Sequence, residues 1–533
     1  MCAAYRLLLR GGGKCMKSRL CVFLRRAIHM ALLLALLLCI WVFLGYFRRT
    51  ILAELELLLS AAPWLWAALG AAAVLAAGAI VVLLWYIDRV RHVSWVLFFT
   101  GAALSLAAAL VLSPPLQSDF LMLYDAAVSF RHGSRDYISY VYFTLWGYQS
   151  AYVAWEAALL SLWEDPHMIQ MIHCLLFSGT IVLLYRLFRP FASEKTARMT
   201  ALCTMVFPTA FTLPAVLTNQ IPGAFFLVLG VYVLCGRETR GLKLWRFPLS
   251  GVLLQLGNLL RPEAVLVLGA LAVAGLLWTL SRRERRRDLL FGGLLLLASY
   301  FLVGKAAHYL TIWSGLNPVG LVNANPLWKV VSGLNPETGG MYSNYDWYRI
   351  LDTLSPDGHV TEATLKMEWD MITYRLQMPI PVLGQLVLDK IENLWVNDAL
   401  YLATSRVKDG PWGVWCDVLR GADRLMALLV MAAAALGAVL QWRTARPAVS
   451  YLPHLVVLAS FCAFLLIEVQ PRYAYLPYLF LFWCAGFGAE ALGKRLHALM
   501  AVNKTAKRNL QFKSKLHPAA AAPAGKRWPC RED

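Results

Sequence analysis

Trp95-Val96-Leu97-Phe98-Phe99-Thr100-Gly101-Ala102-Ala103-Leu104-Ser105-Leu106-Ala107-Ala108-Ala109-Leu110-Val111-Leu112 runs straight into Ser113-Pro114-Pro115-Leu116-Gln117-Ser118-Asp119-Phe120, and this junction decides the fold. The first part is uncharged and long enough to cross a hydrocarbon core about 30 Å thick, which takes ~20 residues of helix. The second part places a carboxylate, Asp119, just beyond the end of the apolar segment, at the membrane surface. Beyond it, Phe120 to Phe130 places Leu123, Ala127 and Phe130 on one helical face, with Asp125 and Ser129 elsewhere. That is the pattern of a helix lying along an interface.

The rest of the chain follows the same plan. Hydrophobic residues make up 59% and charged residues 15% of it, at a mean hydropathy of +0.57, and the apolar residues come in long runs. This excludes an ordinary soluble domain. We expect an all-α, polytopic membrane protein of about 12 transmembrane helices. The segments are Met30 to Phe47, Trp64 to Ile87, Trp95 to Leu112, His167 to Leu187, Met199 to Leu213, Ile221 to Cys235, Phe247 to Leu260, Ala264 to Leu280, Leu289 to Leu310, Leu425 to Leu440, Tyr451 to Ile467 and Tyr473 to Leu492.

Alternate connections are basic, which fixes an expected orientation, because short cytoplasmic loops are enriched in Lys and Arg. One side carries the arm with Arg6, Arg10, Lys14, Lys17, Arg19, Arg25 and Arg26, then Arg89 and Arg91, Arg186 to Arg198, Arg237 to Arg246, and the cluster Arg282, Arg283, Arg285, Arg286 and Arg287. The tail from Lys494 belongs with them, so both termini are expected in the cytoplasm of a multi-pass cell-membrane protein. The net charge of +19 records this bias, and no nucleic-acid partner is needed to explain it. Residues 1–29 are then a basic arm, 30–310 an N-terminal transmembrane domain with an outer loop at 113–166, 311–424 an extracytoplasmic loop region, 425–492 the C-terminal helices and 493–533 a basic tail. From Gln511 the tail reads as disordered. In the second outer loop Asn317-Pro318, Asn325-Pro326, Asn335-Pro336 and Gly339-Gly340 point to an irregular folded insertion.

Of the 11 cysteines only Cys416 falls in an outward loop, so no disulfide framework is expected there. The first apolar stretch runs into Tyr46-Phe47-Arg48-Arg49 rather than a small-residue cleavage site, and is expected to remain as an anchor.

A carboxylate at the depth of Asp119 is partly desolvated, which suits it to accept a proton; the alternative is that it caps the following helix beside Ser118. Basic groups on the outer side are few. Arg261, in Asn258-Leu259-Leu260-Arg261-Pro262-Glu263, and Arg472, in Glu468-Val469-Gln470-Pro471-Arg472-Tyr473, stand at outer span ends, against the charge bias. An arginine there can grip a phosphate bidentately, or pair locally, Arg261 with Glu263 and Arg472 with Glu468. Lys305, inside a span near the outer face, is a third cationic candidate. Asp119 and Asp125 sharing a divalent ion is disfavoured, since six residues apart they face different ways. No metal site or other cofactor is assigned, a divalent ion staying open. His132 and His173 lie on different elements, and there is no zinc spacing, Walker loop or dinucleotide glycine pattern.

An outward Asp after an early span, an amphipathic segment behind it, many further spans and a late Arg-Tyr at an outer span end together resemble the GT-C superfamily of polytopic, polyprenyl-phosphate-sugar-dependent glycosyltransferases. The likeness is to the bacterial branch that resembles protein O-mannosyltransferases and aminoarabinose transferases. The strings that carry it are Ser118-Asp119-Phe120 with Tyr124 and Ala126-Ala127, Arg261-Pro262-Glu263, Gly333-Leu334-Asn335 with Thr338-Gly339-Gly340, and Gln470-Pro471-Arg472-Tyr473. Two departures stand out. Phe120 follows Asp119 where the protein O-mannosyltransferases pair two acidic residues, and the spans before Trp95 are extra.

The resemblance implies a polyprenyl-phosphate sugar as donor, a glycan or protein as acceptor, the bilayer as the setting and no nucleotide. It implies Asp119 as base, Arg472, Arg261 and Lys305 on the donor phosphate, and inversion by a single displacement. Asp125, Tyr124, Tyr473 and Gln470 are secondary candidates, and the loop from Gly333 to Asp346 is expected to cover the site. Two alternatives use the same arginines: a transporter or flippase for lipid-linked glycans, and a polymerase or ligase acting on them. The mid-span regions are nearly free of charge, which counts against transport.

Overall fold

The computed structural model describes residues 19–51, 89–236, 243–281, 286–442, 444 and 446–516. The expected span Trp64 to Ile87, most of the basic arm, Arg282, Arg283 and Arg285, and the tail beyond 516 lie outside them. The helices are α1 (Arg19–Tyr46), α2 (Val93–Leu112), α3 (Ser118–Arg131), α4 (Ser150–Leu160), α5 (Pro166–Phe188), α6 (Glu194–Met205), α7 (Gln220–Cys235), α8 (Arg246–Leu260), α9 (Ala264–Ser281), α10 (Arg286–Trp313), α11 (Glu362–Leu376), α12 (Ile380–Ile391), α13 (Gly413–Gln441), α14 (Leu452–Leu466) and α15 (Tyr475–Leu516). Shorter turns are named by range. The described residues hold no β-strand, only an isolated antiparallel bridge between Trp146 and Asn323.

Apart from Met199 to Leu213, the expected spans within the described residues fall on helix, and the chain is an all-α polytopic membrane protein. Among the described residues eight helices are long and apolar enough to cross a membrane, or nine if the pair Pro208–Ala215 and Gln220–Cys235, bent by 119°, is one broken span. The segment Met199 to Leu213 is not one helix. It divides after Met205, because Pro208 starts a new short helix, Pro208–Thr212. Helix α8 is about 22 Å long at 1.5 Å per residue, short of a full crossing. Helix α13 starts at Gly413, well before Leu425, and α15 continues to Leu516, through part of the stretch expected to be disordered. Its last turns carry Lys, Arg, Gln and Leu, good helix formers, and Pro518 lies just beyond.

Contacts sort the helices into two ends. At one end, Arg25 on α1 donates to Ser281 on α9 (3.1 Å), and Ser193 before α6 donates to Glu490 on α15 (2.8 Å). At the other, Arg49 pairs with Glu392 (2.6 Å), Arg424 on α13 with Asp398 (3.2 Å), and Tyr478 on α15 donates to the Trp395 carbonyl (2.5 Å). Close helix approach depends on small residues, as is usual between apolar helices. A Cβ on Gly437 of α13 would lie 2.9 Å from the Gly488 backbone of α15. The loop region after α10 is more helical than its turn residues suggest. Trp328–Gly333, Asn344–Leu351 and α11 fold around a core that includes Trp146, Trp328, Val331, Ile350 and Met371, while Ile391 of α12 joins the main core of the spans.

Candidate active site

The junction that decides the fold also builds one wall of the site. Ser113 and Ser118 both adopt left-handed backbone (φ 35° and 53°), and between them Pro114-Pro115 turns the chain from α2 into α3. Non-glycine residues rarely hold that conformation without support from their surroundings. The cap position of α3 is Gln117, whose side chain makes no cap hydrogen bond. Asp119 is therefore not the cap. It lies in the first turn, where the helix dipole favours an anion, and its Oδ2 is 3.4 Å from Arg472 Nη2. Leu123 and Ala127 are buried against α4, as the face pattern implies.

Arg472 sits in the turn Pro471–Ala474 that leads into α15. Its Nε donates to Gln470 Oε1 (2.7 Å), and its guanidinium lies over the Phe120 ring, 4.8 Å from the centroid. Gln470 in turn donates to Glu468 (2.9 Å). Glu468 is buried and also accepts from Tyr473 OH (3.0 Å) and Lys329 Nζ (3.0 Å). Burial pushes its carboxyl up, but Lys329 and the three hydrogen bonds outweigh that and leave it below the usual range. The local pairing of Arg472 with Glu468 is thus not what forms; Lys329 takes the carboxylate instead.

Arg261 follows α8 and does pair locally, with Glu263 (2.9 Å). Its guanidinium also lies over the Tyr473 ring at 4.4 Å. Gly223 on α7 makes this position possible, because a Cβ there would lie 2.7 Å from Arg261 Cβ. The break before α7 supplies Asn219, which accepts from Arg261 Nη1 (3.3 Å) and donates to Gln149 (3.3 Å); Gln149 donates to Tyr142 OH (3.0 Å). Burial raises the Tyr142 hydroxyl well above its ordinary value, Asp119 raises it further, and Arg472 pulls it down, so both fields reach it. Tyr342 is pushed up to about 12 by burial and then by Asp119 and Glu468. A chain of contacts runs Asp119, Arg472, Gln470, Glu468, Tyr473, Arg261, Asn219, Gln149, Tyr142.

Asp119, Arg472, Arg261, Tyr473 and Gln470 come together from three distant parts of the sequence. Lys305 does not join them. It is exposed on α10 beside exposed Phe301, Leu302 and Tyr309, the setting of a lysine reaching from an apolar surface to headgroups. Asp125 is exposed, and the Tyr124 hydroxyl is raised by burial and then by Asp165, Glu164, Glu156 and Asp125, with no arginine among the causes. Among the described residues no group of three or more His, Cys, Asp or Glu is placed to hold a metal ion.

Sequence reasoning missed Lys329, Asn219, Gln149, Tyr142 and Tyr342. Two of them carry a signal: Lys329 is the lone basic residue between Trp313 and Tyr348, and Thr218-Asn219-Gln220 interrupts an apolar stretch.

Residues 151–304 match the family model described as dolichyl-phosphate-mannose-protein mannosyltransferase. The matched part contains Asn219, Arg261 and Glu263 but neither Asp119 nor Arg472. No curated protein matches the chain. Among solved structures, the archaeal oligosaccharyltransferase AglB from Archaeoglobus fulgidus, in complex with an inhibitory peptide and a dolichol-phosphate, is similar at 13% identity and a TM-score of 0.42. The similarity covers 79% of this chain and 52% of that one, so the chain spans about half the length of that protein. The family match, on an all-helical polytopic membrane protein, bears out the resemblance to the GT-C superfamily of membrane glycosyltransferases.

Proposed function

We propose that the protein moves a sugar from a polyprenyl-phosphate donor to a hydroxyl of an extracytoplasmic glycan or protein acceptor. The observation that carries this reading is the meeting of Asp119 with Arg472 across 353 residues, inside a cluster that also holds Arg261 and Lys329. Asp119, 44% exposed at its side chain, takes the proton of the acceptor hydroxyl. The acceptor oxygen attacks the anomeric carbon from the face opposite the phosphate. As that bond forms, the carbon–oxygen bond to the phosphate breaks, its electron pair leaves with the polyprenyl phosphate, and the configuration inverts. Arg472, backed by Arg261 and Lys329, stabilises the charge that grows on the departing phosphate. The Asp119 contact holds Arg472 in place before the donor enters.

In isolated membranes given a labelled polyprenyl-phosphate sugar, Asp119→Asn is expected to abolish transfer while expression and insertion stay normal. Wild-type-like transfer by the variant removes Asp119 as base. Label that crosses the membrane without forming a sugar product favours the transporter reading instead.

A further inference from the structure

Lys390, on α12, is only 2% exposed, and no carboxylate forms an ion pair with it among the described residues. Its Nζ donates to two backbone carbonyls, Gly333 O at 2.6 Å and Ile467 O at 2.8 Å. Both carbonyls lie at helix C-termini: Gly333 ends Trp328–Gly333 and Ile467 follows α14. Carbonyls there lack intrahelical partners, and the helix dipole favours a cation beside them. The first of these helices carries Lys329; the residues after the second are Glu468, Gln470 and Arg472.

We propose that Lys390 is a positioning residue, holding the loop that carries Lys329 against the strap that carries Glu468 and Arg472. The part of this inference that concerns donor binding rests on the proposed function; the clamp itself does not. Two backbone bonds mark the seam, Glu468 N–H to Lys329 O (2.7 Å) and Val469 N–H to Gly340 O (2.9 Å). The seam leaves no room for side chains. A Cβ on Gly333 would lie 2.7 Å from Glu468 N, and one on Gly340 (φ 78°) would lie 2.7 Å from Lys390 Cγ. Asn393, on the π-helical turn after α12, adds a bond to Gly339 O (3.2 Å). Glu468 is already committed to Lys329, Gln470 and Tyr473. A buried lysine bonded to carbonyls alone serves the geometry of what those carbonyls join.

The test uses the purified full-length protein and Lys390→Met, with amide hydrogen exchange over 333–340 and 467–470 and with undecaprenyl phosphate as binding probe. Removing charged hydrogen bonds is expected to speed exchange at the Glu468 and Val469 amides, and to weaken the probe, by about tenfold or more. Exchange in α11 stays as in the wild type, and in transfer assays the donor KM rises more than kcat falls. Unchanged protection at the two amides overturns the proposal, as does lost protection with undecaprenyl phosphate bound as before. If Lys390→Met does not fold, Gly340→Ala, which displaces the lysine stem, carries the same two readouts. A wild type that binds no undecaprenyl phosphate sinks the donor reading, and the exchange arm alone then decides the clamp.

Discussion

Glu468 shows how single residues make this site. A buried carboxylate is tolerated only when paired and hydrogen-bonded, and here Lys329, Gln470 and Tyr473 all donate to it. Because the folded carboxyl lies below its ordinary value of 4.5, its stabilisation is present above that value and is lost as pH falls through the folded pKa. Lys329→Met leaves the charge buried without its cation. Breaking a fully buried pair costs about 3–5 kcal/mol, and since Lys329 is 34% exposed we expect about 2–3 kcal/mol. Glu468→Gln in the same background should recover part of that, because a neutral amide needs no cation. Thermal unfolding of the wild type, both single variants and the double variant measures this coupling; additive single effects would show that the pair does not hold the strap. Residues of this kind divide by legibility. Asp119, Arg261 and Arg472 could be read from sequence because each stands at a span end against the charge bias. Lys329 and Asn219 stand out locally, but their roles could not be read, since they come from partners 139 and 42 residues away. Phe120, where the resembling family has an acid, has a role only once Arg472 is seen to lie over its ring.

At the scale of elements, the outer helices carry a titratable fault. Glu368 on α11 is fully buried, and neither carboxylate oxygen has a hydrogen-bond partner. Burial pushes its pKa up to about 7, with Asn325 pulling weakly the other way. Between the ordinary value of 4.5 and about 7 the folded protein holds a proton that the unfolded chain has lost, so stability falls as pH rises through that window. We expect α11 to exchange its amides more readily, relative to the intrinsic rate, at pH 7.5 than at pH 5.5, and Glu368→Gln to remove most of the difference. A pH-independent α11 in the wild type would contradict this. The same elements show where apolar runs mislead. Met199 to Leu213 reads as one span, yet Pro208 divides it, and a second break, between Ala215 and Gln220, positions Asn219. The start of α13 was hidden by Asp417, Arg420, Asp423 and Arg424. These charges belong in a helix because Arg420 and Arg424 both reach Asp398, and Asp423 accepts from the Thr209 N–H (2.6 Å).

For the whole molecule, the all-helical, membrane-spanning character follows from elementary rules, while the convergence of the site depends on which helices pack together. Helices α1, α13, α14 and α15 all run between the same two ends. Asp119, Arg472, Lys329 and Glu468 lie at the end where Arg49 meets Glu392; Arg25, Ser281, Ser193 and Glu490 lie at the other. The basic connections among the described residues lie at the second end, so by the positive-inside rule we expect that end in the cytoplasm and the site outside. A donor already on the outer leaflet needs that arrangement. Gln117, exposed two residues before Asp119, and Lys494, midway along α15 with its side chain 72% exposed, are separated by nearly a full span. From Tyr475 to Lys494 the helix rises about 29 Å, close to the hydrocarbon thickness. In a cysteine-free background, Gln117→Cys is expected to react with a membrane-impermeant maleimide on intact cells. Lys494→Cys should react only after permeabilisation. The reverse pattern would place Asp119 and the arginines in the cytoplasm, where an outer-leaflet donor could not reach them, and the proposed reaction would fall with the topology.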